Sequence, residues 1–154
     1  MVLTDLSESR LEAWGRAIGA SASTPLVLAL RGELGAGKSV LARAIARGAG
    51  VVAAMPSPTY NLVFRYDVDD RTVMHVDLYR LEDPAEVWEL GWQELGDGDQ
   101  IALIEWPERA EALLPEPRWE IELTVGAEPT LRDVRARPIG APPPLPGAPA
   151  ELMP

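Results

Sequence analysis

The feature that most constrains this chain is Gly32-Glu33-Leu34-Gly35-Ala36-Gly37-Lys38-Ser39, read together with what stands on each side of it. Leu26-Val27-Leu28-Ala29-Leu30 comes just before, a continuous apolar run suited to a strand buried on both faces. Val40-Leu41-Ala42-Arg43-Ala44-Ile45-Ala46-Arg47 comes just after and has helix-forming composition, with Gly48 and Gly50 to end it. Strand, glycine loop and helix in direct succession are the context in which Gly-x-x-x-x-Gly-Lys-Ser becomes a P-loop. The glycines let successive backbone N–H groups turn inward around phosphates, and the helix aims its positive end at the same place. Lys38 is then expected to reach the β- and γ-phosphates of a nucleoside triphosphate, and the Ser39 hydroxyl to ligate Mg²⁺. A loop that merely turns a strand into a helix would not need the full motif. Of the 14 Lys and Arg residues, Lys38 is the single Lys. A phosphate cradle needs a compact ammonium on a slender stem, which a planar guanidinium replaces badly.

Around this centre the pattern predicts one domain over residues 1–139. Ser9 and Glu12 read as a capping box for a helix over about residues 10–19, with Leu11, Trp14 and Ile18 on its apolar face. Residues 60–68 and 72–78 read as two strands of an antiparallel hairpin around Asp69-Asp70-Arg71. Asp83 caps a further helix with Pro84 at its first position and Glu86 completing a box; Val87, Leu90 and Leu95 face inward and Gly91 is a point of interruption. Ile101-Ala102-Leu103-Ile104 is a second buried strand. Alternation through Trp119, Ile121, Leu123 and Val125, and again around Leu131 to Val134, predicts a C-terminal hairpin. Residues 140–154 hold six prolines without periodicity and read as a Pro-rich flexible tail.

A P-loop enzyme also needs an acidic residue at a strand end to hold the metal or its waters. Asp77 and Glu105 both qualify, and the pattern alone leaves open which of them touches the metal. His75, the single histidine, shares a strand face with Asp77. A structural histidine bonded beneath the site is favoured over a catalytic base. Ser57 and Thr59 lie on a stiff Pro-flanked loop, where a hydroxyl either senses a γ-phosphate or belongs to an ordinary turn.

Composition narrows the partners. A net charge of −10 argues against a chain that grips nucleic acid by itself, because backbone phosphates are held by clustered Lys and Arg. With no cysteine there are neither disulfides nor thiolate metal sites. No signal peptide and no membrane span is read, so a cytoplasmic location is expected.

Four stretches, in this order and spacing, resemble one family: Leu34-Gly35-Ala36-Gly37-Lys38-Ser39, Ser57-Pro58-Thr59-Tyr60, His75-Val76-Asp77-Leu78-Tyr79-Arg80 and Ile104-Glu105-Trp106-Pro107-Glu108. The chain is similar over roughly residues 5–137 to TsaE (formerly YjeE), the bacterial ATPase needed for threonylcarbamoyl modification of tRNA adenosine. The resemblance implies a single small P-loop NTPase domain of the α/β class with a mixed central sheet. It implies ATP and Mg²⁺ as cofactors, slow hydrolysis that depends on the partner proteins TsaB and TsaD, and tRNA met only through that complex. By motif, Gly35, Ala36, Gly37, Lys38, Ser39 and Val40 would hold the nucleotide. Ser39 and Glu105 would coordinate Mg²⁺. Asp77 would lie by the γ-phosphate and act with Lys38 in catalysis. Ser57 and Thr59 would form a switch-like loop, Trp106 would pack near the nucleotide, and Arg132 would contact the base. Many relatives carry Thr where this chain has Ser39, a change that keeps the hydroxyl. The Pro-rich tail has no role in the family picture.

Other readings remain beside this one. A small-molecule P-loop phosphotransferase would bring a mobile lid with clustered arginines, and here the arginines are scattered. A GTPase-type switch would carry Asn-Lys-x-Asp, which a single lysine at position 38 forbids. A nucleotide-gated binding module with little catalysis overlaps the family picture.

Overall fold

The structure, a computed structural model, describes residues 1–55 and 62–148. Its frame is a seven-stranded sheet of β1 (Val2–Leu6), β2 (Leu26–Arg31), β3 (Val63–Val68), β4 (Arg71–Asp77), β5 (Gln100–Glu105), β6 (Arg118–Val125) and β7 (Arg132–Ile139) in the order β1-β7-β6-β2-β5-β4-β3. Strands β6, β2, β5 and β4 run parallel, while β3, β7 and β1 join antiparallel. This is the mixed sheet expected from the sequence.

The apolar runs in β2 and β5 are continuous because the sheet is covered on both faces. On one face Leu26, Leu28, Leu30, Ile101 and Leu103 pack with Leu11, Trp14 and Ile18 of α1 (Glu8–Ser21) and Leu41 and Ile45 of α2 (Lys38–Ala49). On the other, Val27, Val76, Ala102 and Ile104 pack with Val87, Trp92, Leu95 and Ala110, carried by the short 3₁₀ segments Pro84–Leu90, Trp92–Glu94 and Pro107–Leu113 and the loop after them. The two long helices lie unusually close. A Cβ on Gly19 would overlap the Ile45 carbonyl oxygen, and one on Gly48 the Arg16 carbonyl oxygen, so backbone packs directly on backbone.

Several elements differ from the sequence expectation. The first helix begins at Glu8, and the cap is Ser7, whose Oγ accepts from the Arg10 N–H at 3.3 Å, in place of the expected box at Ser9 and Glu12. The earlier start puts Leu6 and Leu11 at the positions where a hydrophobic staple closes, and both are core residues. The expected helix after Asp83 is two 3₁₀ pieces divided at Gly91, whose φ of 75° no longer run could accommodate. Strand β1 was not foreseen. It is an irregular edge strand whose pairing with β7 shifts register between Leu3 and Leu6. Residues 140–148, read as the start of a flexible tail, carry hydrogen bonds from two tryptophans of the body, Trp119 and Trp14. No helix among the described residues is long and apolar enough to cross a membrane.

Candidate functional site

The site forms where β2, β5 and β4 end side by side. In register, Leu30 faces Glu105 and Asp77 faces Glu105, so the loop after β2 and both strand-end carboxylates meet at one edge of the sheet. The glycine loop leaves β2 with Gly32 at φ +148°, where a Cβ would stand 2.6 Å from the Leu123 carbonyl oxygen. It enters α2 through Gly37 in the left-handed region, with no side chain capping the helix. The first-turn N–H groups of α2 are thus left without a side-chain acceptor at the place where an anion is favoured.

Lys38 is 5% exposed, and its Nζ donates to the Gly32 carbonyl at 2.5 Å and the Glu33 carbonyl at 2.8 Å. The same ammonium lies 4.2 Å from the centre of the Trp106 ring. Burial pushes its pKa below the ordinary lysine value, against the pull of Glu105, Glu108 and Asp77. Trp106 reaches this position from a left-handed backbone conformation, φ 56° and ψ 48°, which is costly for a residue other than glycine. Its ring also packs on Tyr79 at 4.9 Å between centroids.

Glu105 is 1% exposed and connects three elements. Its Oε1 accepts from Ser39 Oγ of α2 at 2.8 Å, and its Oε2 lies 2.5 Å from His75 Nε2 of β4. His75 therefore sits beneath the site and holds a carboxylate, as the sequence favoured. Asp77 stands beside Glu105 and accepts from the Tyr79 N–H at 3.0 Å. Burial raises its pKa above the ordinary carboxylate value and the adjacent Glu105 adds to this, despite that bond and the nearby His75 and Lys38.

A cavity of about 320 Å³ brings Lys38, Ser39, Asp77, Glu105 and Trp106 together, with Val40 and Gly35 at its rim. Tyr79, Arg80 and Leu62 line it as well; the first two stand in the quoted His75 to Arg80 stretch but carried no expected role. Ala36, within the loop, is buried. A second cavity of about 600 Å³ adjoins the other side of the loop, between the start of α1 and the β6–β7 turn. Arg132 lines it, but its guanidinium is spent on the loop: Nε donates to the Ala36 carbonyl and one terminal nitrogen to the Gly35 carbonyl, both at 3.1 Å. Ser57 and Thr59 lie outside the described residues.

A cluster that sequence reading missed stands behind the loop. Arg31, the last residue of β2, binds Glu120 of β6 at 2.5 Å and Glu111 through both carboxylate oxygens at 2.8 and 2.7 Å. Glu120 is buried and also accepts from Arg118 Nε at 2.7 Å. Burial alone would raise the Glu120 pKa; the bonds from Arg31 and Arg118 outweigh it and hold the carboxyl below its ordinary range. Only the outward charge in otherwise apolar β2 hinted at this network.

The model of the family "Threonylcarbamoyl adenosine biosynthesis protein TsaE" matches residues 6–134 of this chain. Relatives named tRNA threonylcarbamoyladenosine biosynthesis protein TsaE include one from Haemophilus influenzae, 42% identical over 59% of this chain and 58% of its own length. One from Rickettsia bellii is 37% identical over 76% of this chain and 81% of its own. Several of these relatives, the Haemophilus protein among them, are thus matched over less than two thirds of their length. The crystal structure of Bacillus subtilis YdiB superposes with a TM-score of 0.72 over 87% of this chain and 82% of its own, at 24% identity, a likeness of fold.

Proposed function

The chain belongs to the TsaE family, and from that premise we propose that it is a Mg²⁺-dependent ATPase serving threonylcarbamoyl modification of tRNA adenosine, in complex with TsaB and TsaD. The observation that carries the reading is the meeting of Lys38, Ser39, Glu105 and Asp77 around one cavity at the end of a P-loop.

The uncapped start of α2 and the loop N–H groups bind the phosphates. The Lys38 ammonium, held by the Gly32 and Glu33 carbonyls, exchanges these neutral acceptors for phosphate oxygens. Ser39 Oγ and Glu105 Oε1, 2.8 Å apart, are hard oxygen donors of the kind Mg²⁺ takes. Among the described residues no group of three or more His, Cys, Asp or Glu could hold a metal by itself. Ser39 and Glu105 would therefore supply only part of the oxygen ligands that the ion takes. Held by Ser39 and Glu105, Mg²⁺ would supply positive charge to offset that of the phosphates. Asp77, raised in pKa and at the cavity wall, positions the attacking water and accepts its proton. The second cavity is the place for the nucleobase, with Arg132 fixing the loop that separates base from phosphates.

Steady-state ATPase activity of the purified chain, alone and with TsaB and TsaD of the same organism, tests the reading. Slow turnover alone and a clear rise in the complex are expected. A small phosphorylated product formed without partners would instead mark a phosphotransferase. Partner affinity measured with ATP, with ADP and without nucleotide addresses the gated-module alternative, since equal affinities leave gating without a differential to drive it.

A further inference from the structure

The proline-rich stretch is left unused by the nucleotide site, yet it is held in a specific way. Gly140, at φ +72°, turns the chain away from the end of β7. Residues Ala141, Pro142, Pro143 and Leu145 each precede a proline, which bars the α region, and the prolines themselves fix φ near −65°. These positions are thereby directed to extended or polyproline II backbone, and a polyproline II run repeats every three residues. Burial follows that period: Ala141, Pro144 and Gly147 are exposed, and the residues between them are half-buried. Leu145 and Ala148 lie against the main core cluster.

Two indoles read this helix. Trp119 Nε1 of β6 donates to the Pro143 carbonyl at 2.7 Å, and Trp14 Nε1 of α1 donates to the Pro146 carbonyl at 2.9 Å. The accepting carbonyls are three residues apart, one polyproline turn, and so present the same side. Indole donors above an apolar floor, meeting carbonyls at i and i+3 of a Pro-x-x-Pro run, are the chemistry by which aromatic-lined grooves recognise proline-rich ligands. Trp14 is fully buried, so its N–H has no free access to water as a substitute partner.

We propose that Trp14 and Trp119 form a polyproline-recognition groove, and that residues 142–148 of the same molecule are its ligand. The segment crosses from the β6–β7 hairpin to α1 and pins that helix to the sheet. The preformed helix loses little entropy on docking, and the short link from β7 keeps its local concentration high. This inference is independent of the nucleotide reading.

The test cuts the folded full-length chain at a protease site placed between Ile139 and Gly140. After removal of the fragment, a peptide spanning residues 140–148 is titrated while tryptophan fluorescence is followed. Saturable binding is expected, with about five-fold weaker affinity in Trp119→Phe, which keeps an apolar ring and loses the donor. No saturable change, or equal binding by a peptide of the same composition with the i, i+3 proline spacing broken, overturns the proposal. If the cut protein aggregates, indole N–H exchange in the intact chain decides. Slow exchange at both Trp14 and Trp119 is expected, faster in Pro144→Gly; exchange at the free-indole rate in the unaltered chain overturns it. Protection that appears only with dimerisation would assign the ligand to a second copy and overturn the intramolecular form.

Discussion

At the scale of single residues, the site is built at some expense of stability. Lys38 is depressed in pKa by burial and Asp77 is raised, so both charged forms are disfavoured in the folded protein. A carboxyl whose folded pKa lies above its unfolded value destabilises the fold when both states are ionised, and that cost fades as pH falls through the folded pKa. Asp77→Asn should therefore raise the melting temperature of the nucleotide-free protein at neutral pH, by a margin that shrinks on acidification, while hydrolysis in the complex drops. A variant that melts lower than the parent at pH 7 would contradict this. Lys38→Ala should weaken ATP binding by roughly 30-fold or more, the effect of about 2 kcal/mol lost from a charge-assisted contact. Lys38→Arg should not restore it, because the planar guanidinium does not fit between the loop carbonyls and Trp106. Calorimetric titration of ATP into each variant measures both. Glu105→Gln should raise the Mg²⁺ concentration needed for nucleotide binding, and an unchanged requirement would remove Glu105 from the metal.

At the scale of elements, two junctions carry the architecture. Backbone contact between α1 and α2 depends on Gly19 and Gly48, so Gly19→Ala must push the helices apart. A loss of about 1–3 kcal/mol in urea unfolding is expected, the cost of overpacking a close contact. The other junction is Arg31, which joins the end of β2 to β6 and to the 3₁₀ segment beginning just after Trp106. Arg31→Met leaves the buried Glu120 with Arg118 alone and should cost about 1.5–3 kcal/mol, the loss of a charge-assisted bond. Adding Arg118→Met and Glu120→Leu to Arg31→Met should recover much of that loss, since no buried charge then lacks its partner; a triple variant as unstable as the single one would show that the network matters through shape.

At the scale of the whole molecule, charge bears on partners and strand order on where the site lies. A net charge of −10 provides little electrostatic pull on a polyanion. The isolated chain should show no tRNA binding by fluorescence anisotropy at physiological salt, and tRNA should associate only when TsaB and TsaD are present. Tight binding by the chain alone would place a nucleic-acid surface where the sequence shows none. The sheet order sets the candidate site at the ends of the parallel strands β2, β5 and β4, and leaves the antiparallel strands β1, β7 and β3 toward the edges.

The sequence by itself determined whatever rests on neighbours along the chain. Strand, glycine loop and helix are contiguous, so the P-loop, with Lys38 and Ser39 at the start of α2, was legible from local spacing alone. Asp77 and Glu105 could be named as strand-end acids because each closes an apolar run. Tertiary structure decided which groups meet: that Glu105 joins Ser39 to His75, that Arg132 spends its guanidinium on the loop, and that Arg31 faces three carboxylates. It also decided that a proline-rich end meets Trp14 and Trp119, the first of them 132 residues away from its acceptor. Periodicity records which face of an element is buried; the partner on that face is chosen by strand order and helix packing, which no local window contains.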